Sequence, residues 1–258
     1  MENLLESNSF YWIVLYLAIG KIVLGIFWTI LMKHDHLLSH RVYKVEIPDG
    51  QKAREYKNSW HVISDGVALY LLVYFDLISF AESTLTTTIT TFLIFYAWVE
   101  TWYYFTHRLM HKYDWLYKYH RMHHLSLVVT PLSSISMSNV EKIGFYTGGW
   151  LGFMALISWW VPVSLYGIVA YYTYHFIVSL HGHSNTEASA MNSLLAKAGM
   201  GSATSHAIHH ARFRKNYGFS NMFWDRVFGT YAEDTIDMQE RAIKKDGTTS
   251  IKTILKTN

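Results

Sequence analysis

The sequence predicts an all-α protein: a bundle of about four to five membrane-spanning helices with a helical cap that carries clusters of histidine. Three observations support this fold class. Hydrophobic residues make up 51% of the 258-residue chain and charged residues only 16%, whereas soluble domains average roughly 25% charged residues. Aromatic residues reach 17%, and such residues favour membrane–water interfaces. Several apolar stretches approach or exceed the length of about 20 residues that crosses a bilayer as a helix.

Five apolar stretches are the predicted spans. They are residues 11–32, 66–82, 86–106, 143–160 and 164–181. The last two are joined at Val161-Pro162-Val163, a tight turn. An alternative interpretation is that these stretches are buried helices of a soluble protein, but five runs with so little charge would be hard to cover in water. We therefore expect one integral-membrane domain over residues 1–258, with a cap formed by residues 107–142 and 182–258.

The distribution of Lys and Arg predicts the orientation. All of them except Lys21 lie in residues 33–60, 107–142 and 197–258. Basic residues favour the cytosolic side, so a five-span chain with an outside N-terminus places the cap in the cytosol. The first residues, MENLLESNSF, lack the basic start of a secretory signal, so we expect a retained anchor. The expected location is a bacterial inner membrane or the endoplasmic reticulum.

Two features of the composition limit the chemistry. The chain has no cysteine, which excludes disulfides, thiolate zinc sites and a built-in iron–sulfur cluster. The net charge is +3, and the basic residues do not gather into one face, so we expect no nucleic-acid partner. Electrons for any redox reaction would have to come from outside the chain.

Three histidine clusters recur at helical spacing. They are HRLMH with His107 and His111, HRMHH with His120, His123 and His124, and HAIHH with His206, His209 and His210. Residues three or four apart share one face of a helix, and imidazole is a ligand for iron, copper, nickel and zinc. Eight imidazoles are too many for one ion, so the clusters predict a two-metal site. The charge distribution independently places all three clusters on the same side of the membrane.

Other histidines carry weaker signals. LHGHSN adds His181 and His183 near the end of the last predicted span, which brings the candidate ligands to ten. His175 lies inside that span, where packing or a substrate pocket is the expected role. The histidines without a clustered partner are expected to be ordinary polar residues: His34, His36, His40 and His61.

On these motifs the chain resembles the fatty acid hydroxylase and sterol desaturase superfamily of membrane di-iron oxygenases. The family pattern is HxxxH, then HxxHH, then a distal HxxHH, and KNYGFSNMFWDRVFGTY at residues 215–231 is similar to the family's NYG…WDRLFGTY ending. The resemblance covers about residues 95–231 and implies that the eight histidines of the boxes bind iron. His183 is similar to an additional histidine that members place before the last box, and His181 is the alternative for that role.

Residues around the ligands are also candidates for supporting roles. Glu100 lies seven residues before His107, so it either accepts a ring N–H from that histidine or pairs within the bundle. Asn185 is a candidate for holding a metal-bound water, and Asp225 in the WDRVFGTY segment is a candidate supporting residue. One departure concerns the family's His-Pro-x-Glu segment, which reads Ser138-Asn139-Val140-Glu141 here and weakens the substrate assignment.

The resemblance implies an O2-dependent oxidoreductase with two iron ions that hydroxylates or desaturates a C–H bond of a sterol, a fatty acyl chain or a related lipid. It also implies an external electron donor, either a ferredoxin or a small cytochrome with its reductase. Two alternatives belong to other classes. A histidine-rich metal transporter would place its site near the membrane midplane, and a haem electron carrier would need paired histidines between spans, where only His175 lies.

Overall fold

The computed structural model describes residues 4–31, 40–187, 190–244 and 246–248. This part of the chain is mostly helical, which confirms the predicted all-α class. Its strands are β1 (His40–Arg41) and β2 (Thr186–Glu187), which pair antiparallel. The α-helices are α1 (Asn8–Leu31), α2 (Gln51–Lys57), α3 (Ser64–Tyr74), α4 (Leu85–Lys112), α5 (Asp114–His124), α6 (Gly149–Ile157), α7 (Leu165–Gly182), α8 (Ala190–Lys197), α9 (Ala203–Arg212), α10 (Phe223–Val227) and α11 (Thr235–Ile243). A π-helix, Val140–Gly148, leads directly into α6.

Helix α1 is the candidate for crossing a membrane. Within the described residues, Asn8–Ile30 is the one segment that is helical, long and apolar enough, with 23 residues and a mean hydropathy of 2.2. This agrees with the first predicted span. The expectation of about four to five spans stays a prediction.

The predicted span over residues 66–82 does not form as one helix. Helix α3 has 11 residues and is therefore about 16 Å long at 1.5 Å per residue, well short of the roughly 30 Å hydrocarbon core of a bilayer. Residues 77–84 have no regular secondary structure. Just after the helix, Asp76 has a φ of 53°, a left-handed conformation that ends the helix and that aspartate tolerates better than most residues. Hydropathy alone did not detect this backbone reversal.

The other predicted spans correspond to longer helical segments. Helix α4 has 28 residues and continues without a break through the first histidine box. The π-helix and α6 together run from Val140 to Ile157, and α7 begins at Leu165. The break between them contains the predicted Val161-Pro162-Val163 turn.

The chain divides into two compact units. The first unit consists of Met1–Leu24, Trp60–Trp102 and Asn139–Ile177, and the second of Gly25–Ser59, Tyr103–Ser138 and Val178–Asn258. Within the first unit, Lys142 Nζ forms a buried ion pair with Asp65 at 2.6 Å, and the rings of Trp98 and Phe153 stack at 3.9 Å. The second unit contains all three histidine boxes and overlaps the predicted cap.

The hydrophobic core of the second unit packs against the third histidine box. It is formed by Val42, Tyr43, Val128, Ala203, Ala207, Ile208, Ala211, Ala232 and Ala242. Four of these residues belong to α9, and the Tyr43 hydroxyl donates to the Ala207 carbonyl at 2.8 Å. Small alanines let the neighbouring segments approach α9 closely, so the helix that carries the third box is fixed along its buried side.

Candidate metal centre

Nine histidines of the second unit form two adjoining groups. The five-histidine group consists of His107, His111, His120, His124 and His209, and the four-histidine group of His123, His183, His206 and His210. Within each group the candidate ligand atoms all lie within 4.8 Å of one another. The groups are neighbours, because the ring centroids of His124 and His210 are 4.6 Å apart. All eight box histidines and His183 are therefore brought together as the sequence predicted.

Helix geometry distributes the boxes between the groups. Residues four apart nearly eclipse on an α-helix, whereas adjacent residues diverge by about 100°. Accordingly, α5 directs His120 and His124 to the five-histidine group and His123 to the other. Helix α9 does the reverse: His209 joins the five-histidine group, while the i, i+4 pair of His206 and His210 joins the four-histidine group. An HxxHH box thus serves both groups at once.

Main-chain carbonyls orient four of the rings. The Nδ1 atom of His107 lies 2.8 Å from the Tyr217 carbonyl, and that of His209 lies 2.8 Å from the Lys215 carbonyl. In the four-histidine group, the corresponding contacts run from His123 to Ser136 at 3.3 Å and from His183 to Ser179 at 2.7 Å. A carbonyl accepts only, so Nδ1 carries the hydrogen and Nε2 keeps its lone pair for a metal.

The donor atoms fit metal ions. All nine Nε2 atoms take part in contacts of 2.8 to 3.4 Å with Nε2 atoms of neighbouring histidines. For metal–nitrogen bonds of about 2.0–2.1 Å and angles of about 90–109°, neighbouring ligand nitrogens lie roughly 2.9–3.4 Å apart. Where both rings direct lone pairs at each other, as His123 and His183 do at 3.4 Å, the contact is repulsive unless a cation lies between them. The arrangement therefore suits one ion in each group.

The electrostatics keep the rings in the form that binds metal. Burial lowers the pKa of His209 to about 3. Burial, followed by the charge of neighbouring histidines, holds the pKa of five further imidazoles well below the usual value: His107, His120, His124, His206 and His210. The pKa of His111 is lowered for the same reasons. Neutral imidazole is the ligand form, so these rings need no deprotonation at neutral pH.

Asp225 supports the loop that orients His107. Its carboxylate accepts from the main-chain N–H of Tyr217 at 2.8 Å and of Gly218 at 2.6 Å, and from the Thr230 hydroxyl at 2.7 Å. A Cβ on Gly218 would collide with the Asn221 carbonyl and the Asp225 carboxylate. The NYG and WDR…GTY motifs thus form one hydrogen-bonded turn, and Asp225 acts on His107 through Tyr217.

Glu187 is a supporting residue that the sequence analysis missed. Its carboxylate is fully buried, accepts from the Thr204 N–H in the first turn of α9 at 2.7 Å, and accepts from Gln239 Nε2 at 3.0 Å. A carboxylate at a helix N-terminus satisfies a free N–H and interacts favourably with the helix dipole. Glu187 follows the HSN segment by two residues, but no spacing rule marked it as a partner of the third box.

The structure bears on two residues that were predicted beside the ligands. The Nδ1 partner of His107 is the Tyr217 carbonyl and its Nε2 faces His120 at 3.0 Å, so Glu100 is not the acceptor for this ring. The Asn185 amide bonds to the main chain of Tyr43: its Oδ1 accepts from the Tyr43 N–H at 2.8 Å, and its Nδ2 donates to the Tyr43 carbonyl at 3.0 Å. Asn185 instead joins β2 to the segment after β1.

The remaining histidines are outside both groups. His181 belongs to neither, and its ring contacts the Trp28 indole, with centroids 6.1 Å apart. The structure thus selects His183 over His181 as the ninth candidate ligand. His40, His61 and His175 also belong to neither group, in line with the roles expected for them, and His34 and His36 lie outside the described residues.

A helical scaffold with two adjoining histidine groups is typical of a histidine-box metalloprotein. The family model named fatty acid hydroxylase matches residues 92–230, and the chain belongs to this family. The matched region contains all three boxes, His183 and Asp225.

Several curated plant proteins are similar to this chain. Protein CER1-like 2 of Arabidopsis thaliana is 31% identical over 153 residues, covering 57% of this chain and 25% of that protein. Very-long-chain aldehyde decarbonylase GL1-4 of Oryza sativa is 26% identical over 155 residues, covering 57% of this chain and 24% of that protein. The chain thus spans about a quarter of the length of the curated relatives it matches. No solved structure matches the chain significantly.

Proposed function

We propose that this chain is a membrane-bound oxidoreductase that uses O2 and two iron ions to hydroxylate or desaturate a C–H bond of a lipid. The observation that carries the proposal is the convergence of nine Nε2 atoms in two adjoining groups. Membership of the fatty acid hydroxylase family supports a lipid substrate, such as a sterol, a fatty acyl chain or a related molecule.

The residues of the chain have three tasks in this proposal. The five-histidine and four-histidine groups would each hold one ion, and the pair of reduced irons would supply the activation of O2 that oxidises an unactivated C–H bond. The carbonyls of Tyr217, Lys215, Ser136 and Ser179 keep four rings in the required tautomer. Seven of the nine rings are buried, with His111 and His206 partly exposed, so the scaffold keeps most of the centre away from water.

An external protein would supply the electrons, since the chain has no cysteine for an iron–sulfur cluster. We propose a ferredoxin, or a small cytochrome with its reductase. His111 is the partly exposed ligand of the five-histidine group, and its ring contacts Tyr117 at 5.6 Å and Phe213 at 6.3 Å between centroids. The charge of Arg214 acts on His111 and that of Arg121 on Tyr117. Arg121 and Arg214 are both exposed, and a basic surface beside the partly exposed His111 supports an acidic donor.

We propose that α1 and the other long helices anchor the chain in a bacterial inner membrane or the endoplasmic reticulum, with the metal centre on the cytosolic side. The apolar helix Asn8–Ile30 and the one-sided distribution of Lys and Arg support this location. The lipid substrate would then reach the centre from the bilayer. A reporter fused after Asn258 should be active in the cytosol, and activity only outside it would contradict the orientation.

The names of the plant relatives favour a second candidate. Two Oryza sativa relatives are named very-long-chain aldehyde decarbonylases, so a long-chain aldehyde is an alternative substrate for the same centre. A metal transporter or a haem carrier is less well supported. A haem held by two histidines needs its imidazoles on opposite faces of a flat macrocycle, whereas the histidines here pack directly against one another.

Comparing the lipids of host cells with and without the gene tests the proposal. Hydroxylation adds one oxygen to a lipid and desaturation removes two hydrogens. The second candidate, a decarbonylation, would convert an aldehyde RCHO into the hydrocarbon RH and carbon monoxide. The control is a strain carrying the His209→Ala variant, which lacks one candidate ligand. If lipids from wild-type and variant strains are identical while the wild-type protein is present with its metal, the oxidoreductase proposal is wrong.

A further inference from the structure

The second unit contains a cavity of about 320 Å³ whose described lining includes none of the nine clustered histidines. Its walls come from the end of α1, from the chain between β1 and α2, from the loop after the second box, and from the residues that follow His183. This volume is far larger than the roughly 30 Å³ that one water molecule occupies in the liquid. It falls within the range of roughly 300–1,000 Å³ found for small-molecule pockets. The cavity is therefore large enough for a ligand.

The lining of the cavity contains six apolar residues, here called the apolar wall, and two exposed cations. The apolar side chains of the lining are Val45, Ile47, Val128, Val129, Pro131 and Leu132. Arg41 and Lys52 also line the cavity, and both are solvent-exposed. No carboxylate is among the lining residues in the described part of the chain. The lining therefore combines an apolar surface with two positive charges.

The uncharged polar side chains of the lining are bonded to the protein itself. Thr130 donates to the buried carboxylate of Glu55 at 2.7 Å, and the Asn185 amide bonds to the main chain of Tyr43. The other hydroxyls behave likewise: Thr29 donates to the Gly25 carbonyl, Ser184 to the His181 carbonyl and Thr186 to the Ser184 hydroxyl. Arg41 and Lys52 are therefore the charged residues among the described lining.

The position of Thr29 relates the cavity to a membrane surface. Thr29 lines the cavity and is the next-to-last residue of Asn8–Ile30, the helix that is long and apolar enough to cross a membrane. If that helix crosses a bilayer, a cavity at its end lies at the level of the lipid headgroups, where exposed Lys and Arg meet anionic groups.

We propose that this cavity binds a single-chain lipid with an anionic carboxylate or phosphate headgroup, which Arg41 and Lys52 hold while the apolar wall takes the adjoining part of the chain. Guanidinium and ammonium groups both bind such oxyanions through charge-assisted hydrogen bonds. This inference concerns binding and does not depend on the reaction proposed for the metal centre.

Calorimetric titration of the full chain in phosphatidylcholine nanodiscs tests the inference, with the heats of empty nanodiscs subtracted. The probes are dodecyl phosphate, dodecyl maltoside with the same chain and a neutral headgroup, and inorganic phosphate. Dodecyl phosphate should saturate near one molecule per chain. Dodecyl maltoside and inorganic phosphate should each bind with a Kd at least about tenfold higher. Equal binding of dodecyl maltoside, or equal binding of inorganic phosphate, would overturn the proposal.

Two exposed lysines of the same helix give a matched pair of variants. Lys52 lines the cavity, while Lys57, at the other end of α2, is not among its lining residues. Lys52→Gln should weaken dodecyl phosphate roughly tenfold, while Lys57→Gln should bind like the wild type. Leu132→Trp should fill the apolar side and abolish binding. If Lys52→Gln and Lys57→Gln have the same Kd, the assignment of the headgroup site is wrong, whatever the folding of the tryptophan variant.

Discussion

His107 and Tyr217 are joined through the Nδ1 atom of the histidine ring, which lies 2.8 Å from the tyrosine carbonyl. This contact links the first histidine box to the NYG segment, 110 residues further along the chain. Asp225 in turn accepts from the Tyr217 N–H. A chain of contacts thus runs from His107 in the five-histidine group through the main chain of Tyr217 to the Asp225 carboxylate. This chain of contacts makes the role of Asp225 testable.

Replacing Asp225 with asparagine should lower metal retention. The amide has one acceptor atom where the carboxylate has two, so it cannot accept from both the Tyr217 and the Gly218 N–H groups in the same way. The turn would then loosen around His107, and supporting groups of this kind are typically worth about 10–100-fold in metal affinity. Metal competition with a chelator measures the effect.

Asp237→Asn is the control for this experiment, since Asp237 is exposed on α11. The same metal affinity for both variants would show that the turn does not orient the ligand.

His183 and His181 should differ sharply when each is changed to alanine. His183 Nε2 lies 2.8 Å from that of His206, whereas His181 belongs to neither histidine group. His183→Ala should therefore lose the ion of the four-histidine group and with it turnover, while His181→Ala should keep both ions. Elemental analysis and product formation on the same samples measure the two effects. If His181→Ala loses an ion while His183→Ala keeps both, His181 is the ninth ligand instead of His183.

Glu187→Gln should destabilise the second unit. The new amide can still accept from the Thr204 N–H, but its NH2 group would face Gln239 or the helix N-terminus, and an unsatisfied buried polar group costs about 1–3 kcal/mol. Thermal unfolding measures the loss. Glu240→Gln is the matched control, because Glu240 pairs with Lys197 at the surface and exposed pairs contribute little. Equal melting temperatures for Glu187→Gln and Glu240→Gln would show that the buried Glu187 carboxylate does not stabilise the second unit.

The electron donor should bind through the basic surface near His111. Arg214→Gln should raise the KM for an acidic donor about three- to tenfold at low salt, and the difference should shrink as salt screens the charges. Steady-state rates at several ionic strengths measure this effect. Lys244→Gln, at the C-terminal end of α11, should leave the KM unchanged. An Arg214 variant with wild-type KM at all salt concentrations would place the donor elsewhere.

The sequence was sufficient for the parts of the site that depend on local periodicity. The i, i+4 spacing predicted histidine pairs that point the same way, and each of the three boxes contains one such pair within a single group. The i, i+3 spacing did not predict the grouping, because His123 and His209 each join the other group. Hydropathy predicted the first apolar helix and the break between the last two predicted spans. These features need only the geometry of one helix or a short segment, so no tertiary information was required.

The remaining features depend on contacts that spacing does not reveal. Glu100 was a reasonable partner for His107 along one helix face, but the acceptor comes from the loop at Tyr217. His181 and His183 were equivalent in sequence, and the position of the end of α7 decides between them. Asn185 bonds to Tyr43, 142 residues earlier, and the predicted span over residues 66–82 ends at Tyr74 because the backbone reverses at Asp76. Each of these outcomes is set by tertiary structure.

The metal content of the purified chain tests the central claim most directly. Nine Nε2 atoms in two adjoining groups should hold two ions per chain, and stoichiometry is the decisive quantity because zinc can replace iron in an overproduced sample. Elemental analysis after gentle extraction should therefore give close to two ions per chain for the wild type. One ion, or none, in a folded preparation supplied with iron would contradict the two-metal centre.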